Sequence, residues 1–239
     1  MMKQPAKIYG YRWVVLTAFM FITLMNQLLW ITFAPITGEA ARFYGTSDLM
    51  IGLLSMIFMV IYIPIVIPSA WVIDTWGFRW AVGIGAVLTV VGALARGIFA
   101  SSFAAVFTSQ IVIALGQPLI LGAITKLAAR WFRVEERATA SGLGTLAIYL
   151  GILAGMIVTP VLTVRYGIKS MLIIYGLIST AAAALFLILA RESPPTPPSP
   201  GEEDRRTRMF EGLKSMLRQR DFILLLIIFF IGLGMFNGV

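Results

Sequence analysis

Neither cysteine nor histidine occurs anywhere in the 239 residues. That absence removes disulfides, thiolate nucleophiles, thiolate or imidazole zinc sites and any serine–histidine relay. Acidic residues are scarce as well, 11 against 19 basic ones, and they fall at the ends of apolar runs or between them. No buried carboxylate pair can be built from them, so no catalytic residue, metal site or cofactor is expected and the chain does not read as an enzyme. Charged residues make up 13% of the chain and hydrophobic ones 59%, at a mean hydropathy of +0.90. Too little polar surface remains to coat a soluble globule of this length, so the solvent must be lipid.

The charges that are present are sorted. No long run carries Asp, Glu, Lys or Arg at its middle, where each would cost about 2.5–3.5 kcal/mol. Measured against a span of about 20 residues, the runs predict helices near Trp13–Ile36, Leu49–Ile73, Trp80–Phe99, Phe103–Thr125, Ala138–Val164, Ser170–Ala190 and Phe222–Val239. The first run is too long for a signal-peptide core and has no small-residue cleavage site after it, so it reads as a retained helix. Alternation of the spans places Lys3, Lys7, Arg12, Arg79, Lys126, Arg130, Arg133, Arg137 and the basic residues from Arg191 to Arg220 on one side. Only Arg42, Arg96, Arg165 and Lys169 fall on the other. The crowded side is expected to be cytoplasmic, with the N-terminus on it, in a multi-pass protein of the cell (plasma) membrane. The net charge of +8 then reflects topology and attraction to anionic lipid, and no nucleic-acid partner is implied.

Three regions follow. Residues 1–190 should form an all-α, six-helix transmembrane bundle. Residues 191–220 should form a cytoplasmic linker, because the proline-rich stretch from Ser193 to Gly201 supports neither helix nor strand. Within it, Met209, Leu213, Met216 and Leu217 share one face of an amphipathic segment over Arg205–Asp221, which suits a helix lying on headgroups. Residues 221–239 should begin a second bundle with a seventh helix that the chain does not complete. This is the plan of the first half of a two-half carrier, with its second six-helix half missing from this chain.

Two connections carry motifs. Between the second and third runs stands Trp71-Val-Ile-Asp74-Thr-Trp-Gly77-Phe-Arg79, in which Asp74 can accept hydrogen bonds at helix ends, Gly77 permits a tight reversal and Arg79 supplies a countercharge. Between the fourth and fifth stands Arg130-Trp-Phe-Arg-Val-Glu-Glu136-Arg137-Ala-Thr-Ala-Ser-Gly142. Both resemble the signature loops of the major facilitator superfamily, although Ala70, Thr75 and Phe78 depart from the usual residues. In the fifth run, Gly151-x-x-x-Gly155 allows a close backbone approach. The Gly-Pro pair of antiporters is absent from that run, and Val112 stands where many proton-coupled members carry arginine.

A narrower resemblance is to the group of feline leukaemia virus subgroup C receptor-related proteins. It rests on Arg12-Trp-Val-Val, Asn26-Gln-Leu-Leu-Trp30, Phe33-Ala-Pro-Ile, Phe43-Tyr-Gly, Leu54-Ser-Met-Ile-Phe-Met-Val, Ile63-Pro, the Asp74 loop and Gly116-Gln117. The resemblance implies facilitative carriage of choline-like amines, with haem export also proposed for that group. It implies a central site lined by Trp30, Gln117 and their neighbours Asn26 and Gln27, with Asn237 where those carriers present an aromatic side chain. Asp74, Gly77 and Arg79 would form a gate. An indole face holds a quaternary ammonium by cation–π attraction without a buried carboxylate, which accommodates the missing mid-membrane charge. The alternatives are an exporter of a hydrophobic or anionic metabolite, and a non-transporting receptor or assembly subunit. The expected partners are a small-molecule substrate and the lipid bilayer.

Overall fold

The computed structural model describes residues 9–196, 198, 219–225, 227, 228 and 231. The chain divides into two units, residues 1–200 and 201–239. Among the described residues the first unit is entirely helical: α1 (Tyr11–Ile31), a short 3₁₀ turn (Ala34–Ile36), α2 (Thr37–Tyr44), α3 (Asp48–Trp76), α4 (Phe78–Ile98), α5 (Phe103–Leu121), α6 (Ile124–Trp131) and α7 (Val134–Leu189). Five stretches among the described residues are long and apolar enough to cross a membrane. The last of them, α7, has 56 residues, about 84 Å at the helical rise and far beyond a bilayer core of about 30 Å.

Gly167 resolves this excess, because its backbone (φ 76°, ψ 165°) leaves the helix and divides α7 into limbs 134–166 and 168–189. The Thr159 hydroxyl lies 2.8 Å from the Tyr175 hydroxyl, and these two residues are equidistant from Gly167, so the limbs fold back on one another. Among the described residues of the first unit six crossings result, as the first six apolar runs predict. Gly77 has nearly the same backbone (φ 89°, ψ 167°) and reverses the chain between α3 and α4. Both glycines stand in the same local pattern, Trp76-Gly77-Phe78-Arg79 and Tyr166-Gly167-Ile168-Lys169. An L-residue at positive φ would be strained at either.

Serine caps begin two of the crossings. Ser47 accepts from the Met50 N–H at the start of α3, and Ser102 from the Ala105 N–H at the start of α5, both at 3.4 Å. Pro35 helps end α1, and a Schellman cap at Gly45 closes α2, with Thr46 N–H on Ala41 O at 3.0 Å. Pro64 and Pro68 lie inside α3.

Small residues set the helix spacing. A Cβ on Gly151 would collide with the Leu24 carbonyl of α1, and one on Gly155 with Ile31, as the fifth run's glycine pair predicts. The α4–α5 crossing, which the sequence reading does not anticipate, is built the same way from Gly85, Gly92 and Gly116. The span α3 stands apart, with 17% of its most apolar window buried against 56% for α4 and for the stretch beginning at α5. Its outward face carries Met56, Met59, Val60, Ile63 and Ile67.

In the second unit, residues 220–225 are helical, where the seventh run begins. Most of the amphipathic segment, and Asn237, lie outside the described residues.

Candidate functional site

Asn26, Gln27 and Trp30 of α1 face three different neighbours. Asn26 is fully buried and donates from Nδ2 to Thr89 Oγ1 of α4 at 3.1 Å. Thr89 in turn donates to the Gly85 carbonyl at 2.8 Å. Gln27 is also buried and donates to Asn26 Oδ1 at 3.3 Å, its stem lying beside Gly151 of α7. Trp30 is turned toward α3 instead, its indole N–H donating to the Ser55 carbonyl at 3.0 Å. Its ring remains partly exposed. Gln117 on α5 follows Gly116, which is seated on Gly85, and makes no hydrogen bond among the described residues. Asn26 and Gly116 thus both adjoin the Gly85–Thr89 stretch of α4, with Gln27 between Asn26 and α7, while Trp30 occupies the α1–α3 seam.

Arg96 has partners that its place in the sequence does not convey. The sequence reading sets it near the end of the third run, on the sparsely charged side, and it lies in the last turn of α4 with no exposed surface. Its Nη1 donates to Gln110 Oε1 at 2.8 Å and to the Leu29 carbonyl at 3.1 Å, and its Nη2 to Thr32 Oγ1 at 3.2 Å. The Phe33 ring lies 5.9 Å from its Cζ. Gln110 then donates to the Leu54 carbonyl at 3.1 Å, so one guanidinium joins α1, α3, α4 and α5. It also meets the carbonyl end of α1, where the helix dipole favours a cation. No carboxylate pairs with it among the described residues. A signal for this was present in α4, where Gly85, Thr89, Gly92 and Arg96 recur at steps of four, three and four along one buried face.

The opposite end of the bundle holds the charged cluster. Asp74, exposed at the end of α3, pairs with Lys126 of α6 at 3.5 Å, so Lys126 supplies the countercharge expected of Arg79. Arg12 of α1 holds Glu136 of α7 through two bonds of 2.7 and 3.0 Å, its guanidinium flanked by the Trp13 and Phe132 rings. Sequence reasoning also missed Glu192, just past α7. Its carboxylate accepts from the Arg79 N–H at 2.8 Å and the Phe78 N–H at 3.3 Å, capping α4 above Gly77. The chain around it is pinned by Tyr11, whose hydroxyl donates to Leu189 O at 2.8 Å, and by Trp131, whose indole donates to Arg191 O at 3.0 Å.

Burial pushes the Glu192 carboxyl above its ordinary 4.5, against the opposing pull of the two N–H donors and of Arg130 and Lys126. A carboxyl raised on folding binds more protons in the native state, so ionising it lowers stability as pH rises from 4.5 through the folded value. Glu192→Gln should remove that slope. Melting temperatures of the two proteins across this range test it, and parallel curves would show that Glu192 is not titrating in a buried seat.

The Major Facilitator Superfamily profile matches residues 15–239. The chain belongs to the major facilitator superfamily. Within it, the chain is 32% identical to solute carrier family 49 member A3 of Xenopus tropicalis, over 98% of this chain and 51% of that protein. It is 30% identical to the choline/ethanolamine transporter flvcr2b of Danio rerio, again over 98% and 51%. The chain therefore spans about half the length of these relatives. Its fold matches the crystal structure of a bacterial homologue of the human lysosomal transporter Spinster, in an inward-facing, unoccupied conformation. That match has a TM-score of 0.68 and 17% identity, over 79% of this chain and 45% of that one.

Proposed function

We propose that this chain is the first half of a carrier that moves a small organic solute across a bilayer by alternating access, with a choline-like amine as the substrate class. Similarity to proteins named as choline/ethanolamine transporters supports this reading. So does the state of Trp30. With its N–H committed to Ser55 O, the indole has only its partly open π-face left to offer, and that face suits a quaternary ammonium. Gln117, buried yet unbonded among the described residues, is the polar group available to orient a hydroxyl. Asn26 and Gln27 would act from behind, since each is already occupied, and Asn237 would contribute from the seventh helix. Asp74, Gly77 and Arg79 would gate the side on which the linker leaves the bundle.

The test uses a version carrying both halves. Trp30→Phe should weaken amine binding mildly and Trp30→Ala by about tenfold or more, since the cation–π interaction contributes up to about 2 kcal/mol. An uncharged carbon analogue of choline should bind poorly and be indifferent to Trp30→Phe. If Trp30→Ala lowers expression but leaves binding intact, the ring is an interfacial anchor and the amine reading fails.

A second reading, export of an anionic metabolite, draws on Arg96, a buried cation bonded to Leu29 and Thr32, which stand on either side of Trp30 in the chain. Transport of organic anions, with none of amines, by the version carrying both halves would favour it. The distribution of basic residues also supports a cytoplasmic N-terminus and linker in a plasma-membrane protein. Ser199→Cys and Thr46→Cys should then react with an impermeant thiol reagent from opposite faces; reaction of both from the same face would overturn the topology.

A further inference from the structure

We propose that the groove between α4 and the second limb of α7 binds an anionic phospholipid, with an acyl chain along α4 and the phosphate on Arg79. The groove has a volume of about 410 Å³. Arg79 and Trp80 form one end, Gly83, Val87 and Leu88 continue along α4, and Leu187 forms the far wall. These α4 positions repeat every four residues, so the trough follows two helical turns, about 12 Å. Gly83 deepens it, since a Cβ there would come within 3.3 Å of Leu187. Apart from Arg79 the lining is apolar, and Trp80 and Val87 are largely exposed on a membrane span.

Arg79 gives the groove its selectivity. It sits in the first turn of α4, at the end of the span, where a long stem can line the trough while the guanidinium stays at headgroup level. Trp80 beside it is a side chain favoured at that depth. The Arg79 backbone N–H is bonded to Glu192, but its guanidinium takes part in neither ion pair among the described residues. The cations that act on the Glu192 carboxylate are Arg130 and Lys126. An exposed, unneutralised guanidinium at the mouth of an acyl-sized trough is complementary to a lipid phosphate.

The molecule carries its own control. On the other side of the same limb lies a second groove of about 370 Å³, bounded by Trp13, Val14, Phe21, Leu185 and Leu189. No charged residue lines it, and nearby Arg12 is held by Glu136. The second groove should accept acyl chains without regard to headgroup. This inference depends on the membrane-spanning fold and not on which solute is carried.

The experiment places the protein in bilayers of equal phosphatidylglycerol and phosphatidylcholine, releases it into the gas phase under native conditions, and counts the lipids retained. The wild type should keep one phosphatidylglycerol preferentially. Arg79→Gln should reduce that retention about fivefold, the equivalent of one surface cation, while phosphatidylcholine retention is unchanged and Arg79→Lys keeps most of the preference. Val87→Trp should fill the trough and displace the lipid. A photoreactive side chain introduced at Val87 should couple to lipid. Unchanged phosphatidylglycerol preference in Arg79→Gln, equal loss in Trp13→Ala, or coupling from Val87 to protein instead of lipid would each overturn the site.

Discussion

Gly116→Val should prevent the protein from folding to a stable, monodisperse form. A Cβ at Gly116 would stand 2.6 Å from the Gly85 carbonyl oxygen, and one at Gly85 would stand 2.7 Å from the Gly116 oxygen. The obstacles are backbone atoms of the neighbouring helix, so no rotamer change can relieve the contact. Further along the crossing, Gly92 would meet the Ser109 carbonyl at 2.7 Å in the same way. Between helices in lipid there is little hydrophobic drive to recover what such separation loses, because close packing itself holds them. We expect a loss of about 3 kcal/mol or more. Gly142→Ala makes the contrast, since nothing lies within 4 Å of a Cβ there, and a helical alanine should gain about 0.5–1 kcal/mol. Thermal melting in detergent compares them; a Gly116→Val protein that melts with the wild type would mean that α4 and α5 do not touch through these glycines.

Arg96→Met should be the next most damaging change, since each buried acceptor it leaves unsatisfied costs about 1–3 kcal/mol. Gln110 Oε1, the Leu29 carbonyl and Thr32 Oγ1 all accept from this one guanidinium. A lysine reaches with a single ammonium and lacks the planar fork, so Arg96→Lys should recover only part of the loss. The informative measurement is a double-mutant cycle with Gln110→Leu. The two substitutions together should cost clearly less than the sum of each alone, because Gln110 has no reason to be satisfied once Arg96 is gone. Strict additivity would dissolve the four-helix junction described above.

Arg96 also marks the limit of what hydropathy can reveal. Averaging over a window located every described crossing, because in lipid the free energy of each residue depends mainly on its own polarity. The same averaging hid a single arginine three residues from a helix end, whose tolerance depends on Thr32, Gln110 and Leu29, far away in sequence. Gly77 was legible because a reversal of so few residues needs positive φ, a local requirement. Glu192 was not, since nothing near Ser193 says that its carboxylate returns to the start of α4. The candidate binding residues divide similarly. Composition and resemblance point to Asn26, Gln27, Trp30 and Gln117, but only the fold separates Trp30, on the α3 side, from the Asn26–Thr89 seam.

The prolines of α3 carry a mechanical consequence. Each lacks an N–H, so the carbonyls of Val60 and Pro64 have no intrahelical donor. Bending the helix between them breaks no bond that an unbroken ladder would have held, and the elastic resistance there is correspondingly low. The soft point falls in the least buried crossing of the first unit, where few neighbours oppose deflection. Force applied at either end of α3 would concentrate at 64–68, making the helix behave as two stiff levers joined by a compliant segment.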